Sequence, residues 1–266
     1  MENTASYIEL DQLPEKGSLV RDYYSISFIH GWDECPAKQA VSCLTKSEHA
    51  QPLDIGSCVH KFMENKYNPS EENYQEYIEM VHDIEDRYGQ EGKKKLDEYI
   101  WSAINSQEYT GMKNAVSFET EKRFVKELSP FGVNLPVKMK GFVDRIDNFS
   151  NKKNIIDYKT SSSTVYRGDK YKDQLILYKW ATNADDTYIC FITPRGAKYY
   201  KQDFSMSDES RLVDKIFAVD IDLQKSNEKH CYKKKCGYYC KWCPLRAACQ
   251  AQSAKLLEDY LEKNKR

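Results

Sequence analysis

Two apolar segments joined by a short polar turn constrain the fold of this chain more than any other feature. Residues 135–147 and 154–160 are typical of β-strands, and the Asn- and Ser-containing turn between them predicts a hairpin. Side chains two positions apart on a strand point to the same face, so we expect Asp157 and Lys159 to project together. Asp144, near the end of the preceding strand, can reach the same place across the hairpin.

Two carboxylates and a lysine in one pocket suit phosphodiester cleavage with a divalent cation. Mg²⁺ takes oxygen ligands, such as carboxylates and a strand carbonyl. Such an ion neutralises charge on a phosphate and activates a water molecule, and a neighbouring lysine stabilises the developing charge or orients the water. The alternative is that Asp144 and Asp147 are solvated surface residues, because an Asp-x-Lys pattern is common by chance.

The other segments predict an α/β or α+β fold, in which helices flank a mostly antiparallel set of strands. We expect residues 1–24 to be a loose lead-in. Helices are predicted over residues 25–44 with an interruption near Cys35-Pro36, over 55–67, 72–110, 171–183 and 207–225, and from about Ser253 onwards. Further strands are predicted over 116–127, 187–193 and 197–204.

Composition adds only broad limits. The chain has 266 residues, 40% of them hydrophobic, which is sufficient for a sizeable core. Its 40 basic and 41 acidic residues nearly cancel, so an enzyme acting on nucleic acid would have to concentrate its basic groups locally. No apolar run approaches the roughly 18 residues that span a membrane. Residues 1–10 also lack the apolar region of a signal peptide, so we expect a cytoplasmic location, no membrane partner and reduced cysteines.

Five of the nine cysteines fall between Cys231 and Cys249, which is typical of metal or cluster ligation. A zinc site would take four thiolates, for example Cys231, Cys236, Cys240 and Cys243. An iron–sulfur cluster also takes four, so the residues alone leave both possibilities open. Unliganded buried thiols are disfavoured, because the surrounding segment is too polar to bury five of them.

The same segment mixes basic and aromatic side chains and contains no acid between residues 229 and 246. Basic groups neutralise phosphates, and aromatic rings stack on exposed bases. We therefore predict nucleic-acid contacts there, with a solvated charged loop as the alternative. The residues predicted to bind are Lys233, Lys234, Lys235 and Trp242.

Taken in chain order, these motifs resemble the RecB-like branch of the PD-(D/E)XK nuclease superfamily. The resembling segments are Ser27 to Cys35-Pro36, Gly56 to His60, Gly141-Phe-Val-Asp144-Arg-Ile-Asp147, Ile155-Ile-Asp157-Tyr-Lys159-Thr160, Gln174 to Tyr178, and Cys240-x₂-Cys243-x₅-Cys249. Each is weak alone, but the ordered set is specific and spans nearly the whole chain. One departure is that Val143, rather than proline, precedes Asp144.

The resemblance implies a restriction-endonuclease-like core with a mixed central sheet, and a DNA nuclease of the exonuclease type. It implies that Mg²⁺ or Mn²⁺ is held by His60, Asp144, Asp157 and the carbonyl of Tyr158, that Lys159 assists catalysis, and that Gln174 and Tyr178 position DNA or brace the site. Its iron–sulfur members imply a 4Fe-4S cluster on Cys35, Cys240, Cys243 and Cys249. Cys231 and Cys236 are then spare, and either could replace one of these ligands.

The expected organisation is one integrated domain. It comprises a helical region over 1–112, a nuclease core over 113–226 and a cysteine-rich tail over 227–266. The size and tail resemble stand-alone CRISPR-associated and phage exonucleases, so a phage-encoded protein also fits. DNA with free ends or single strands is the expected substrate. A helicase or recombination partner would have to supply unwinding, because the sequence has no P-loop motif. The alternatives are a zinc-stabilised nuclease and a nucleic-acid-binding subunit of a recombination or repair complex.

Overall fold

The computed structural model describes residues 7–9, 22–45, 50–106, 109, 111–163, 165, 168–229, 231–251 and 254–264. The strands are β1 (Tyr7–Glu9), β2 (Tyr23–Ser25), β3 (Ser117–Lys126), β4 (Lys138–Asn148), β5 (Lys153–Thr160), β6 (Asp186–Thr193), β7 (Gly196–Gln202) and β8 (Cys231–Lys233). The helices are α1 (Ile26–Glu34), α2 (Pro36–Ser42), α3 (Gln51–Tyr67), α4 (Glu71–Ile104), α5 (Lys172–Thr182), α6 (Met206–Lys229), α7 (Arg246–Ala251) and α8 (Ala254–Asn264). None of the helices in these ranges is long and apolar enough to cross a membrane.

The chain folds as two compact units, and each unit draws on segments that are distant in sequence. The first unit comprises residues 1–48, 125–140 and 210–266, and the second comprises 49–124 and 141–209. The division at residues 112 and 226 that the sequence suggests remains a prediction.

Helices α1 and α2 of the first unit are separated by a break that local chemistry explains. The Ser25 hydroxyl accepts a hydrogen bond of 3.2 Å from the Phe28 N–H and caps α1. Cys35 then takes an extended backbone conformation, and Pro36, which lacks an N–H, opens α2. The predicted interruption near Cys35-Pro36 is confirmed.

A buried tryptophan joins several elements of the first unit. Trp32 on α1 is 1% exposed, and its indole donates a hydrogen bond of 2.9 Å to Asp222 on α6. Its ring also meets Tyr232 of β8 edge-on. Strand β8 pairs antiparallel with β1, and β2 pairs parallel with the first residues of β4. The predicted lead-in therefore contains β1 and the first residues of β2, each of which pairs with a strand from elsewhere in the chain. Of the other residues in the range 1–24, residue 22 alone is described.

The sheet of the second unit has the order β4–β5–β6–β7, with β3 also pairing with β4. The β4–β5 and β6–β7 pairs are antiparallel, and the β5–β6 pair is parallel. Helix α5 connects β5 to β6, and a helical crossover of this kind returns the chain in the same direction. The sheet is therefore mixed, as the resemblance implies, and two of these three pairs are antiparallel, in agreement with the mostly antiparallel set of strands expected from the segment order.

Helices α3 and α4 cover this sheet through one apolar core. Ile55 and Val59 of α3, Leu96 of α4 and Ile156 of β5 are all at most 2% exposed and belong to the same cluster. The residue after Val59 is His60, so this packing holds the imidazole beside the strands. The predicted helices, and the strands between residues 116 and 204, are confirmed with shifted ends, whereas β8 and α7 within the cysteine-rich segment were not predicted.

Candidate active site and cysteine cavity

A carboxylate of β4 and an imidazole of α3 lie at the centre of the site. Asp144 is 8% exposed, and its Oδ1 lies 3.5 Å from Nδ1 of His60. Its Oδ2 accepts a hydrogen bond of 2.6 Å from the Tyr158 N–H. Burial alone would raise the pKa of Asp144, but His60, Lys159 and the Tyr158 N–H together hold it below its ordinary value. Asp144 is therefore a buried anion, and the solvated-surface alternative is wrong for it.

Glu121 completes a compact set of possible metal ligands. One ligand atom each from His60, Glu121 and Asp144 lie within 4.8 Å of one another. Burial and the charge of Asp144 raise the pKa of Glu121 to about 7. Burial would lower the pKa of His60, but the neighbouring Asp144 raises it to about 9. Two carboxylates and one imidazole in a partly buried, acidic setting fit a divalent ion such as Mg²⁺ or Mn²⁺.

The backbone of β3 explains why Glu121 faces this centre. Glu121 has a φ of 46°, which lies in the left-handed region that costs a residue other than glycine about 1 kcal/mol or more. Such a local distortion re-aims a strand side chain. Glu119, two positions earlier, instead pairs with Lys122 at 2.8 Å and accepts a hydrogen bond from Asn148.

Asp157 and Lys159 project together from β5, as the strand alternation predicts. The Lys159 ammonium lies 2.7 Å from Asp157 Oδ2, and Asp157 is fully buried. Burial and the charge of Asp144 raise the pKa of Asp157 to about 6, against the opposing effect of Lys159. Burial acts to lower the pKa of Lys159, but Asp157 and Asp144 outweigh it and raise that pKa. Lys159 is therefore held as a cation.

Helix α5 supplies the groups that fix Asp157 from the other side. The Gln174 side-chain amide donates to Asp157 Oδ1 at 3.0 Å and to the Tyr178 hydroxyl at 2.8 Å. This close approach of the helix needs a glycine on β4. A Cβ atom at Gly141 would lie 2.6 Å from the Phe124 ring and 2.9 Å from the Tyr178 ring. The packing of these two rings therefore explains why the sequence motif has glycine at position 141.

A buried ion pair supports the strands from the opposite face. The Arg145 Nε lies 2.7 Å from Asp147 Oδ1, and both side chains are fully buried. Arg145 also donates to the Tyr158 hydroxyl at 2.8 Å and lies over the Tyr67 ring at 4.1 Å. Asp147 accepts a further hydrogen bond of 2.6 Å from the Tyr109 hydroxyl. The solvated-surface alternative is therefore wrong for Asp147 as well, because its carboxylate balances a buried guanidinium.

A profile of the PD-(D/E)XK nuclease superfamily matches residues 23–250. The chain belongs to this superfamily. The protein is therefore a nuclease, a hydrolase that cleaves phosphodiester bonds.

A solved structure agrees with this fold. The nuclease is similar to the crystal structure of a protein called "Putative exonuclease" from Eubacterium rectale, with a TM-score of 0.60 and 12% identity, covering 93% of this chain and 94% of that one. A structure called SSO0001 matches more distantly, at a TM-score of 0.38 and 18% identity over 79% of this chain and 90% of that one. No protein of curated function matches the chain.

The structure brings together His60, Asp144, Asp157, Lys159, Gln174 and Tyr178. The compact ligand set, however, contains Glu121 rather than Asp157. The ligand roles expected for Asp157 and the Tyr158 carbonyl remain predictions. The sequence alone does not distinguish Glu121 from Glu119 as a ligand, since alternation places both on the same strand face.

Five thiols of the nuclease line one cavity of about 220 Å³ in the first unit. They are Cys35, Cys236, Cys240, Cys243 and Cys249. All four predicted cluster ligands are thus included. Of the two spare cysteines, Cys236 lines the cavity, whereas Cys231 lies in β8 opposite Glu9 and is absent from the described lining.

Which metal centre these thiols could bind depends on the distances between their sulfur atoms and on the charges around them. Within the described part of the chain, no three of the sulfur atoms lie within 4.8 Å of one another. A tetrahedral zinc site with Zn–S bonds of about 2.3 Å would require sulfur atoms about 3.8 Å apart. Basic side chains also line the cavity, namely Lys38, Lys234, Lys235 and Arg246.

The predicted nucleic-acid-binding residues have different surroundings. Lys233 is exposed, whereas Lys234 and Lys235 line the cysteine cavity. The Lys235 ammonium donates to the Asp33 carbonyl at 2.6 Å and lies 3.6 Å from its carboxylate. The side chain of Trp242 lies outside the described residues. Contact of this segment with nucleic acid remains a prediction.

Proposed function

We propose that this nuclease is a DNA exonuclease that uses Mg²⁺ or Mn²⁺. The observation that carries the proposal is the compact, partly buried group of His60, Glu121 and Asp144, close to a lysine that is held as a cation. These three residues would hold the ion, with Asp157 as a further candidate ligand. When bound, the ion supplies charge neutralisation at the scissile phosphate and activation of water.

The protein's own groups would contribute orientation and charge. Lys159 keeps its proton, so it would stabilise negative charge on the phosphate rather than accept a proton. Gln174 holds Asp157 by a hydrogen bond and is itself held near Tyr178. This favours the bracing role over direct contact of Gln174 with DNA. The Tyr158 N–H donates a hydrogen bond to Oδ2 of Asp144, and the other carboxylate oxygen, Oδ1, faces His60.

Digestion of labelled DNA tests the proposal. Linear and circular substrates, each single- and double-stranded, would be incubated with the protein and Mg²⁺ or Mn²⁺. We expect linear DNA to be degraded and circular DNA to be spared, in keeping with the name of the similar Eubacterium rectale protein. Cleavage of both forms would instead identify an endonuclease.

Two variants connect this activity to the site. Asp144→Asn and Lys159→Ala should each reduce the cleavage rate by about a hundredfold or more, because the first removes the charge of a candidate metal ligand and the second removes a positive charge beside the reacting phosphate. Lys113→Ala, which changes an exposed lysine outside the site, is the matched control. Unchanged activity in both variants would contradict the assignment of Asp144 and Lys159 to the catalytic site.

We further propose a 4Fe-4S cluster on Cys35, Cys240, Cys243 and Cys249. The shared cavity and the basic side chains that line it support a cluster, whose four thiolates make it negatively charged. Anaerobic purification should give a brown protein with about four iron atoms and matching sulfide per chain. A colourless protein loaded with zinc would overturn this part of the proposal.

A further inference from the structure

An open groove of about 630 Å³ lies beside the candidate metal ligands of the second unit. His60 and Glu121 line it together with an apolar wall. Phe142 on β4 and Leu53 on α3 belong to that wall, and they remain 43% and 65% exposed. Phe142 lies two positions before Asp144, so both side chains leave the same face of the strand. An exposed aromatic ring is thus placed next to the candidate reaction centre.

The charges in the groove disfavour a phosphate there. Among the described residues that line it, Lys61 is the basic side chain apart from His60. Its ammonium lies 2.7 Å from Glu64, contacts Glu76 and donates to Asn73 at 3.1 Å. Glu64 and Glu121 add acidic groups to the lining. Away from an ion held by His60, Glu121 and Asp144, a phosphate would meet the Glu64 carboxylate and a lysine already paired with two glutamates, whereas the uncharged face of a base would meet an apolar wall.

We propose that this groove receives a nucleobase of the scissile strand and that the Phe142 ring contacts its face. This inference rests on the proposed function, since it places the neighbouring phosphate at His60, Glu121 and Asp144. A base within a duplex has both faces covered by its neighbours and is available for such contact only when it is unpaired. The substrate class is therefore a single-stranded or frayed DNA end, and Phe142 is a specificity-determining residue.

Substitutions that keep or remove the ring test the contact. Phe142→Leu should raise KM for a single-stranded oligonucleotide about tenfold, because stacking on an aromatic ring is lost. Phe142→Tyr should keep the wild-type KM. Phe131→Leu is the matched control, since Phe131 is also exposed but does not line the groove. kcat should change little in all three, because the reacting groups are untouched.

The substrate supplies a test that does not depend on any variant folding. An oligonucleotide series with one abasic site moved along the strand should show one position at which KM of the wild-type protein rises about tenfold. At that position Phe142→Leu should show no additional loss, because the ring and the base belong to one contact. A duplex whose ends are cross-linked against fraying should be cleaved far more slowly than the single strand.

The outcomes separate this inference from the proposed function. If the wild-type protein cleaves DNA but Phe142→Leu keeps its KM, or if no abasic position matters, the groove assignment is overturned. Efficient cleavage of the cross-linked duplex would overturn it too. If the wild-type protein cleaves no DNA, the proposed function fails, and fluorescence anisotropy with labelled single strands in Ca²⁺ still decides the groove. Equal affinity of wild type and Phe142→Leu would then reject it.

Discussion

At the scale of single residues, the choice between two glutamates shows where strand alternation stops being informative. Glu119 and Glu121 should share a face on a regular strand. The left-handed backbone at Glu121 separates them, so that Glu121 joins His60 and Asp144 while Glu119 pairs with Lys122. Neither residue is glycine or asparagine, so the sequence carries no signal of this distortion.

This separation predicts that two matched substitutions differ in their effect on metal binding. Glu121→Gln should weaken Mn²⁺ binding by at least about tenfold, because it removes the charge of a candidate ligand. Glu119→Gln changes the same functional group two positions away and should leave Mn²⁺ affinity unaltered. Isothermal titration in the absence of DNA measures both. Equal effects of the two substitutions would show that Glu121 is not a ligand.

At the scale of elements, the contact between β4 and α5 depends on the absence of a side chain. Gly141 lets the rings of Phe124 and Tyr178 lie against the strand. Tyr178 in turn holds Gln174, which donates to Asp157. A change at Gly141 is therefore transmitted to the site without touching any charged group.

Gly141→Ala should lower the free energy of unfolding by about 1–3 kcal/mol, because the added methyl group overpacks the contact. It should also reduce cleavage, since Tyr178 and Gln174 must shift. The second substitution Phe124→Leu, made in the Gly141→Ala background, relieves part of the clash and should recover both properties. Denaturant unfolding and DNA digestion are the measurements. A Gly141→Ala protein with full stability and activity would contradict this account of the contact.

The buried Arg145–Asp147 pair makes a second prediction at this scale. Asp147→Asn should lower the free energy of unfolding by about 3 kcal/mol or more, because it leaves a buried guanidinium without its counter-charge. The control is Asp97→Asn, which breaks an exposed pair with Lys93 on α4. That change should cost less than about 1 kcal/mol. Urea unfolding compares them, and similar losses would argue against the pair as a structural support.

The elements also show what could be predicted from the sequence. The hairpin of β4 and β5 and its acidic and lysine residues were predictable, because two-residue alternation and the polar turn are local signals. The parallel pairing of β5 with β6 is not local, since it depends on how α5 crosses the sheet. The hydrogen bond from Tyr109 to Asp147 could not be predicted for a similar reason, because the two residues are 38 positions apart in the sequence. The mixed sheet was expected only through the resemblance to a family.

At the scale of the whole molecule, the cysteine cavity joins remote parts of the chain within the first unit. Cys35 lies between α1 and α2, whereas its companions lie after residue 235. The sequence fixes the number of thiols but not which of them meet. Five thiols line the cavity where a cluster needs four, so iron content can distinguish ligands from the spare thiol.

Single serine substitutions should divide these cysteines into two classes. Cys35→Ser and Cys249→Ser should each lower the iron bound per chain by more than half, because a thiolate ligand is lost. Cys236→Ser and Cys231→Ser should keep the wild-type iron content. Iron and sulfide analysis after anaerobic purification gives the answer. Loss of iron in Cys236→Ser together with retention in Cys249→Ser would mean that Cys236 is the fourth ligand.

Removal of the cluster should act mainly on the unit that contains the cavity. Ligand binding stabilises the segments that it joins, and segments released from it open more often and exchange their amide hydrogens faster. After treatment with a chelator and an oxidant, hydrogen exchange should increase in residues 26–42 and 231–251. Residues 51–67 should keep their protection, because they pack with β5 in a separate apolar core. Cys249→Ser without treatment is the matched control and should show the same pattern. Unchanged exchange in residues 26–42 would mean that the cluster does not stabilise this unit, even if iron is bound.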